Sequence, residues 1–236
     1  GSWSLTGNAA EALSKKFTEM QDDSEVTAGF MWQKTTRESK KYQLRGEILS
    51  FIPVEKNVEV MLVTITNTGR MAQTVTPTAA IPLYGRSADN IRDHRHVTSL
   101  LHRIETTDIG VLVTPTLSFD ERGHQVNHMT YYCVGWSGNG EKPVDFYPTA
   151  EDFVGEGGNF ERPYAIVKNA EGVKAGTRIE GLEAVGGLHF SEITLEPEEE
   201  CSYLIFTGIT EDIQEIRNLS KTYTTREMVL EELEKT

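Results

Sequence analysis

The chain has 236 residues, of which 38% are hydrophobic and 25% charged, a composition typical of globular proteins and not of disordered ones. The 36 acidic residues outnumber the 23 Lys and Arg, and the resulting net charge of −13 disfavours nucleic acid as a partner. No apolar run approaches the roughly 20 residues that span a bilayer, so no membrane association is expected. Thr, Val and Ile contribute 57 residues, and this β-branched content favours strands.

A short helix is predicted at the N-terminus. Asn8 is a suitable N-cap with Glu11 three residues later, and Leu13 and Phe17 then share one face. Because the chain begins with Gly-Ser and has no initiator Met, we expect it to be a piece of a longer protein.

From about Val26 the hydrophobic period changes to two, which indicates strands. Val58, Val60 and Leu62 alternate with other side chains before a predicted turn at residues 67–69. Further strand-like runs cover residues 72–83, 97–105, 109–119, 126–136, 164–168, 188–195 and 202–207. Ten or more strands without alternating helices predict an all-β fold, a large antiparallel sandwich.

Two helices are predicted at the C-terminus. Thr210 is the expected N-cap of the first, and residues 224–227 form a capping box that begins the second. Residues 196–236 contribute −7 of the net charge of −13. The apolar stripe of these helices packs either on the sandwich or on a neighbouring domain, and the sequence favours neither.

Residues 84–103 are chemically unusual, with four arginines, two aspartates, three histidines and no lysine. Arginine suits planar contacts to carboxylates, phosphates or sugar hydroxyls, so the segment is either a rigid Arg–Asp network or a ligand or subunit contact. A metal site at His94 and His96 is disfavoured by the neighbouring arginines. The candidate sugar or interface contacts here are Arg86, Asp89, Asn90, Arg92, Asp93, His94 and Arg95.

Residues 135–162 interrupt the strand pattern with six glycines, two prolines and five aromatic residues. Long irregular loops of this kind are often functional. Aromatic rings together with Asn suit sugar binding, but they equally suit loop packing. The candidate sugar or interface contacts in this segment are Trp136, Asn139 and Tyr147.

The two cysteines, Cys133 and Cys201, lie in apolar strand-like runs and are predicted to be reduced core thiols of a cytoplasmic protein. The sequence contains no Gly-x-Ser-x-Gly, no Walker loop and no C-x-x-C, so no catalytic residue, metal site or cofactor is predicted.

Several segments resemble the amino-terminal domains of glycoside hydrolase family 94, the cellobiose-phosphorylase-like enzymes formerly grouped as glycosyltransferase family 36. They are residues 60–68, 187–190, 193–200 and 206–209. Residues 82–90, 93–101 and 115–124 are most similar to the 1,2-β-oligoglucan phosphorylase branch.

This resemblance implies a galactose-mutarotase-like supersandwich, followed by linker helices and an (α/α)6 barrel. It also implies inverting phosphorolysis, in which an acid protonates the leaving oxygen while inorganic phosphate, the co-substrate, attacks the opposite face. The acid and the phosphate site belong to the barrel, so the isolated chain is expected to be inactive.

The domains expected from the resemblance are an N-terminal helical segment (1–23), the supersandwich (24–209) and the start of the helical linker (210–236). The expected partners are a β-glucan oligosaccharide, the barrel of the same polypeptide and a second subunit in a homodimer. The sandwich is expected to shape the substrate cleft and the subunit interface. The alternatives are a carbohydrate-binding module and a plain structural or interaction domain.

Overall fold

The computed structural model describes residues 1–7, 22–85, 95–120 and 123–236. The strands in these ranges are β1 (Asp23–Gly29), β2 (Trp32–Ser39), β3 (Leu44–Phe51), β4 (Val58–Asn67), β5 (Gln73–Val75), β6 (Thr78–Leu83), β7 (Arg103–Thr106), β8 (Gly110–Val113), β9 (Leu117–Asp120), β10 (Gly123–Val126), β11 (Thr130–Ser137), β12 (Asp145–Thr149), β13 (Arg178–Glu180), β14 (Ala184–His189), β15 (Ile193–Leu195) and β16 (Glu200–Thr210). The helices are α1 (Arg95–Ser99), α2 (Ala150–Val154), α3 (Tyr164–Lys168), α4 (Ile213–Thr222) and α5 (Arg226–Lys235).

Nine strands form one antiparallel sheet in the order β1-β2-β3-β4-β16-β11-β8-β7-β13. A three-stranded sheet, β12-β14-β6, packs against it, and two small pairs, β9–β10 and β5–β15, complete the strands of the described ranges. The pairings between these strands are antiparallel. The predicted all-β antiparallel sandwich is confirmed.

Both faces of the large sheet are covered along its central strands, which explains the unbroken apolar run Val60–Val63 in β4. Val58, Val60 and Leu62 point to the face that carries the C-terminal helices. Met61 and Val63 alternate with them and pack toward the three-stranded sheet. Burying each of Val58, Val60 and Leu62 stabilises the fold by about 1.5–3 kcal/mol, so this layering fixes the register of the central strands.

The C-terminal helices pack on the sandwich itself, which decides between the two alternatives left by the sequence. Ile216, Tyr223 and Val229 are buried in the same cluster as the β4 residues that face the helices, which are Val58, Val60 and Leu62. Asp212 caps α4, because its carboxylate accepts a hydrogen bond from the Gln214 backbone N–H at 2.9 Å. The predicted cap, Thr210, lies two residues earlier.

The second helix begins one residue later than the predicted capping box implies: its N-cap is Thr225 and not Thr224, since the Thr225 hydroxyl accepts from the Met228 backbone N–H. The strand predicted at Tyr164–Lys168 is wrong, because these residues form α3 between Pro163 and the left-handed Asn169. The strand predicted at 97–105 is reduced to Arg103–Thr106, since α1 occupies its start. Apolar runs this short do not distinguish a strand from a helix by periodicity.

The predicted irregular segment, residues 135–162, contains the end of β11, all of β12 and α2. β12 is buried along its whole length, so much of this segment belongs to the core. The helix predicted near Asn8 lies outside the described residues, and the domain boundaries at 23 and 209 stay predictions.

Both cysteines are free; Cys133 is fully buried and Cys201 partly buried. Burial raises the pKa of the Cys133 thiol to about 12. In the described ranges, none of the helices has the length and apolar character needed to cross a membrane.

Candidate functional site

A cavity of about 350 Å³ lies beside β12, between α2, α3 and the segment that follows α3. It is larger than a second pocket, which lies beside His102 and Phe160. Its lining consists of Tyr147, Glu151, Asp152, Gly155, Glu156, Tyr164, Ala170, Glu171, Gly172 and Val173.

Two short helices position most of this lining. Thr149 caps α2 by accepting a hydrogen bond from the Asp152 backbone N–H at 3.0 Å, and its hydroxyl donates to the Asp152 carboxylate at 2.7 Å. Gly155 ends α2 at φ 80°, and a Cβ there would lie 2.7 Å from the Cβ of Tyr164. Only glycine therefore allows α3 to approach α2 this closely.

Asn169 returns the chain toward β12. It ends α3 in the left-handed conformation, at φ 49°. Val173, which lines the cavity, then pairs with Phe146 of β12 in an isolated antiparallel bridge.

Tyr147 forms the buried wall of the cavity. Its side chain is 2% exposed, and its hydroxyl donates to the Ala170 carbonyl oxygen at 2.6 Å. Burial, helped by the nearby Asp145 carboxylate, raises its pKa to about 12, so the phenol is neutral at physiological pH. Tyr147 therefore fixes the position of the segment after α3.

Behind Tyr147, Asp145 and His189 form a close pair, with 2.7 Å between Oδ1 and Nδ1. The Asp145 side chain is only 5% exposed, and Lys174 Nζ lies 3.9 Å from its second carboxylate oxygen. Neither Asp145 nor His189 lines the cavity, so this pair supports Tyr147 and the ends of β12 and β14.

The cavity is strongly acidic. Four carboxylates line it, from Glu151, Asp152, Glu156 and Glu171, and its described lining includes no Lys, Arg or His. Such a lining repels phosphate and accepts hydrogen bonds from hydroxyl groups. Tyr164, a residue that is 51% exposed, adds an aromatic ring, and aromatic faces pack against the apolar face of a sugar.

Seven of the predicted contacts are not placed by the structure. Arg86, Asp89, Asn90, Arg92, Asp93 and His94 lie outside the described residues, and of Arg95 only the backbone is described. These predictions stay predictions. Within the described ranges, no three His, Cys, Asp or Glu side chains are grouped so that they would hold a metal ion.

His102, at the end of the same Arg- and His-rich segment, is a core residue. It is 3% exposed, and its Nδ1 lies 3.1 Å from the Leu182 carbonyl oxygen. Burial lowers its pKa, so the ring is neutral at pH 7.

Of the three contacts predicted in residues 135–162, only Tyr147 lines the cavity. Trp136 is 3% exposed and belongs to the core on the helix side of the large sheet, so its ring has no free face for a sugar in this chain. Asn139 lies in the exposed turn after β11, where its backbone N–H donates to the Ser137 hydroxyl at 3.3 Å. It is not part of the cavity lining.

The sequence interpretation missed Tyr164 and Glu171 because it assigned a strand to Tyr164–Lys168. The signal was available: Pro163 just before the segment and Asn169 just after it are typical of the two ends of a helix. A helix at these positions, ended by Asn169, predicts that the chain turns back toward Tyr147 and places Tyr164 and Glu171 near it.

The comparison with protein families gives a match over most of the chain. The model described as "Glycosyl hydrolase 94, supersandwich domain" matches residues 2–226 of the 236-residue chain. The comparison with curated proteins gives no match. Because the family model covers nearly the whole chain, the chain belongs to the glycosyl hydrolase 94 family as its supersandwich domain.

Proposed function

We propose that this chain is the non-catalytic amino-terminal domain of an inverting β-glucoside phosphorylase. Its substrates are β-linked glucans such as β-1,2-oligoglucans, and inorganic phosphate is the co-substrate. The supersandwich match over residues 2–226 is the observation that carries the proposal. In this account the chemistry belongs to an (α/α)6 barrel of the same polypeptide, and the sandwich shapes the substrate cleft and the subunit interface.

The attachment of the C-terminal helices supports a positioning role. Lys56 Nζ donates to the Glu232 carboxylate at 2.7 Å and to the Tyr223 hydroxyl, and Arg226 pairs with Glu200. The Trp136 indole donates to the Tyr223 carbonyl oxygen. Helices fixed to a rigid sheet in this way would hold a following catalytic domain in one orientation, which positions its groups for the reaction.

The test is to sequence the encoding gene beyond the codon for Thr236 and to translate it in the same reading frame. Several hundred further residues with the periodicity of helical hairpins are expected, and a stop codon at that point would refute the proposal. A cytoplasmic location forms part of the same proposal, supported by the two free thiols.

A second candidate function is carbohydrate binding by the chain itself, and the acidic cavity with its exposed Tyr164 ring favours it. Calorimetric titration with β-1,2-oligoglucans should show saturable binding that Tyr164→Ala abolishes. Phe30→Ala is the control, because Phe30 is an aromatic residue that is 84% exposed at the tip of the β1–β2 hairpin and lies outside this cavity and outside the predicted sugar-contact segments. No heat of binding at millimolar sugar, or equal loss in both variants, would exclude this function.

A further inference from the structure

The second, smaller pocket lies beside the start of α2, and we call it the His102 pocket after one of the residues that line it. Its volume is about 20 Å³, which is room for about one water molecule or one hydroxyl group. Ala150 lines this pocket, whereas the next residues of α2, Glu151 and Asp152, line the acidic cavity. The two cavities are therefore neighbours on one surface of the chain.

His102 contributes a buried nitrogen atom that has no hydrogen-bond partner in the described part of the chain. The residue is 3% exposed, and this atom is its Nε2. The Gly85 backbone lies close to the same edge of the ring, but it does not reach hydrogen-bonding geometry with Nε2. Buried polar atoms are normally paired, because an unpaired one has lost its hydrogen bonds to water. Nε2 therefore calls for a partner from outside the described residues.

The other ring nitrogen of His102 determines which chemical group that partner carries. Nδ1 lies 3.1 Å from the Leu182 carbonyl oxygen, and because a carbonyl oxygen only accepts, Nδ1 holds the proton of this hydrogen bond. Burial lowers the pKa of His102, so the ring is neutral at pH 7. A neutral imidazole that is protonated on Nδ1 has a lone pair on Nε2. The partner of Nε2 is therefore an O–H or N–H donor.

Glycine at position 85 leaves room beside this acceptor. A Cβ at Gly85 would lie 3.1 Å from His102 Nε2 and 2.8 Å from Pro115 Cγ. A side chain at this position would crowd the Nε2 edge of the ring, whereas glycine keeps it uncovered.

The charge of the lining favours a neutral donor. Glu183 is the one acidic residue in the described lining, which contains no Lys or Arg, so the pocket repels anions such as phosphate. Leu83, Ala184 and Val185 are buried residues of the same lining, and a cation would lose its hydration against these apolar side chains. A neutral hydroxyl group has neither penalty.

Two exposed aromatic residues also line the pocket. Tyr84 is 49% exposed and Phe160 is 39% exposed. Aromatic rings pack against the apolar C–H face of a sugar, while sugar hydroxyl groups supply O–H donors. A buried acceptor beside exposed aromatic rings therefore matches a carbohydrate.

We propose that the His102 pocket is a carbohydrate subsite in which one hydroxyl group of a β-glucan donates a hydrogen bond to His102 Nε2 and the sugar ring lies against Tyr84. This inference rests on the second candidate function above, binding of a β-glucan by the chain itself, and adds to it a contact separate from the acidic cavity. A water molecule supplies the same O–H donor, so the experiments are chosen to distinguish a sugar hydroxyl from water.

The first experiment follows Nε2 directly, by nitrogen NMR of the 236-residue chain with isotope-labelled histidine. The signals of His102 are identified by their loss in His102→Asn. Nε2 is expected to be unprotonated, and addition of β-1,2-oligoglucans should move its resonance in a saturable way. A proton on Nε2 would overturn the inference. A resonance that millimolar sugar does not move would also overturn it, because water alone would then fill the pocket.

The second experiment is calorimetric titration of variants with the same sugars. In His102→Asn the amide N–H replaces the Nδ1 donor to the Leu182 carbonyl, but the Nε2 acceptor is lost, so binding should weaken about tenfold. His128→Asn is the matched control, since His128 is exposed and lies outside both cavities. Tyr84→Ala should also weaken binding, and Phe30→Ala should not.

The outcomes separate this inference from the function on which it rests. If Tyr164→Ala abolishes sugar binding while His102→Asn and Tyr84→Ala bind as the unsubstituted chain does, carbohydrate binding stands and the His102 subsite is refuted. If the unsubstituted chain binds no sugar, both are refuted. Denaturant unfolding shows whether His102→Asn is folded; if it is not, Tyr84→Ala and the Nε2 resonance decide.

Discussion

The indole Nε1 of Trp136 donates a hydrogen bond to the backbone carbonyl oxygen of Tyr223 at 2.9 Å, and so joins the central strand β11 to the end of α4. Both side chains stack on Phe206, with ring centroids 4.8 Å from Phe206 for Trp136 and 5.5 Å for Tyr223. This contact holds the C-terminal helices on the sheet.

Trp136→Phe should therefore destabilise the chain. It keeps most of the aromatic surface but leaves the buried Tyr223 carbonyl oxygen without its donor, which costs about 1–3 kcal/mol. Denaturant unfolding measures the change in free energy. Trp3→Phe is the control, because the Trp3 indole donates to Asp22 at a partly exposed site and its loss should cost less. Equal losses for the two variants would argue against a special role for Trp136.

The group of Lys56, Tyr223 and Glu232 should make stability depend on pH at both ends of the range. The hydrogen bond to Lys56 lowers the pKa of Glu232, so its contribution is present at neutral pH and is lost as pH falls below about 4.5. Burial alone would lower the pKa of Lys56, but its hydrogen bonds to Glu232 and Tyr223 raise the pKa above 10.5. The pKa of Tyr223 is also raised, but here burial is the cause, and the hydrogen bond from Lys56 opposes it. The contributions of Lys56 and Tyr223 are therefore complete below pH 10 and are lost as pH rises further.

Lys56→Met should flatten the acid limb of this profile relative to the unsubstituted chain, because the Glu232 carboxylate then loses the hydrogen bond that lowers its pKa. Urea unfolding from pH 3 to pH 11 measures the effect. Lys142→Met is the control, since Lys142 pairs with Asp108 at an exposed site far from the helices in sequence. A Lys56→Met profile parallel to that of the unsubstituted chain would show that this group does not couple folding to pH.

The shape of the acidic cavity should depend on Gly155. Gly155→Ala adds a Cβ 2.7 Å from that of Tyr164 and also occupies an unfavourable backbone conformation. Gly157→Ala carries the cost of a positive φ, at 66°, but meets no atom within 4 Å. We expect Gly155→Ala to lose more stability than Gly157→Ala, whose backbone cost is about 1–2 kcal/mol. Equal melting temperatures would show that α2 and α3 separate without cost.

The two thiols should differ in reactivity. Burial raises the pKa of both, to about 12 for the fully buried Cys133, whereas Cys201 is only partly buried. A thiol reagent should label the native chain slowly and only at Cys201, and label two thiols after unfolding. Cys201→Ser should remove the native reaction, and rapid labelling of Cys133 in the native state would contradict the buried core.

The sequence predicts those strands whose residue pattern is visible within the strand itself. β4 and β16 are recognisable in the sequence because other layers cover both faces of the sheet there, so that apolar residues recur along both strands. The short helices were missed because five residues give no usable period. α3 is fixed by Pro163 and Asn169 and by packing on α2, which depends on glycine at position 155.

The candidate site was predicted only in part for a related reason. Tyr147 was singled out within an aromatic-rich segment, and the structure places it on the cavity wall. Trp136, from the same segment, is directed into the core because the alternation of β11 points it toward the C-terminal helices. The composition of the segment does not distinguish a core residue from a cavity residue. The position of each residue in its strand does, because it decides which side of the sheet the side chain faces.

The most direct test of the central claim is a phosphorolysis assay on the polypeptide encoded by the uninterrupted reading frame that contains residues 1–236, with the 236-residue chain as control. With β-1,2-oligoglucans and inorganic phosphate, the encoded polypeptide should produce glucose 1-phosphate and the 236-residue chain alone should produce none. Turnover by the isolated chain, or none by the encoded polypeptide on any β-linked glucan, would contradict the assignment of this chain as the non-catalytic domain of a phosphorylase.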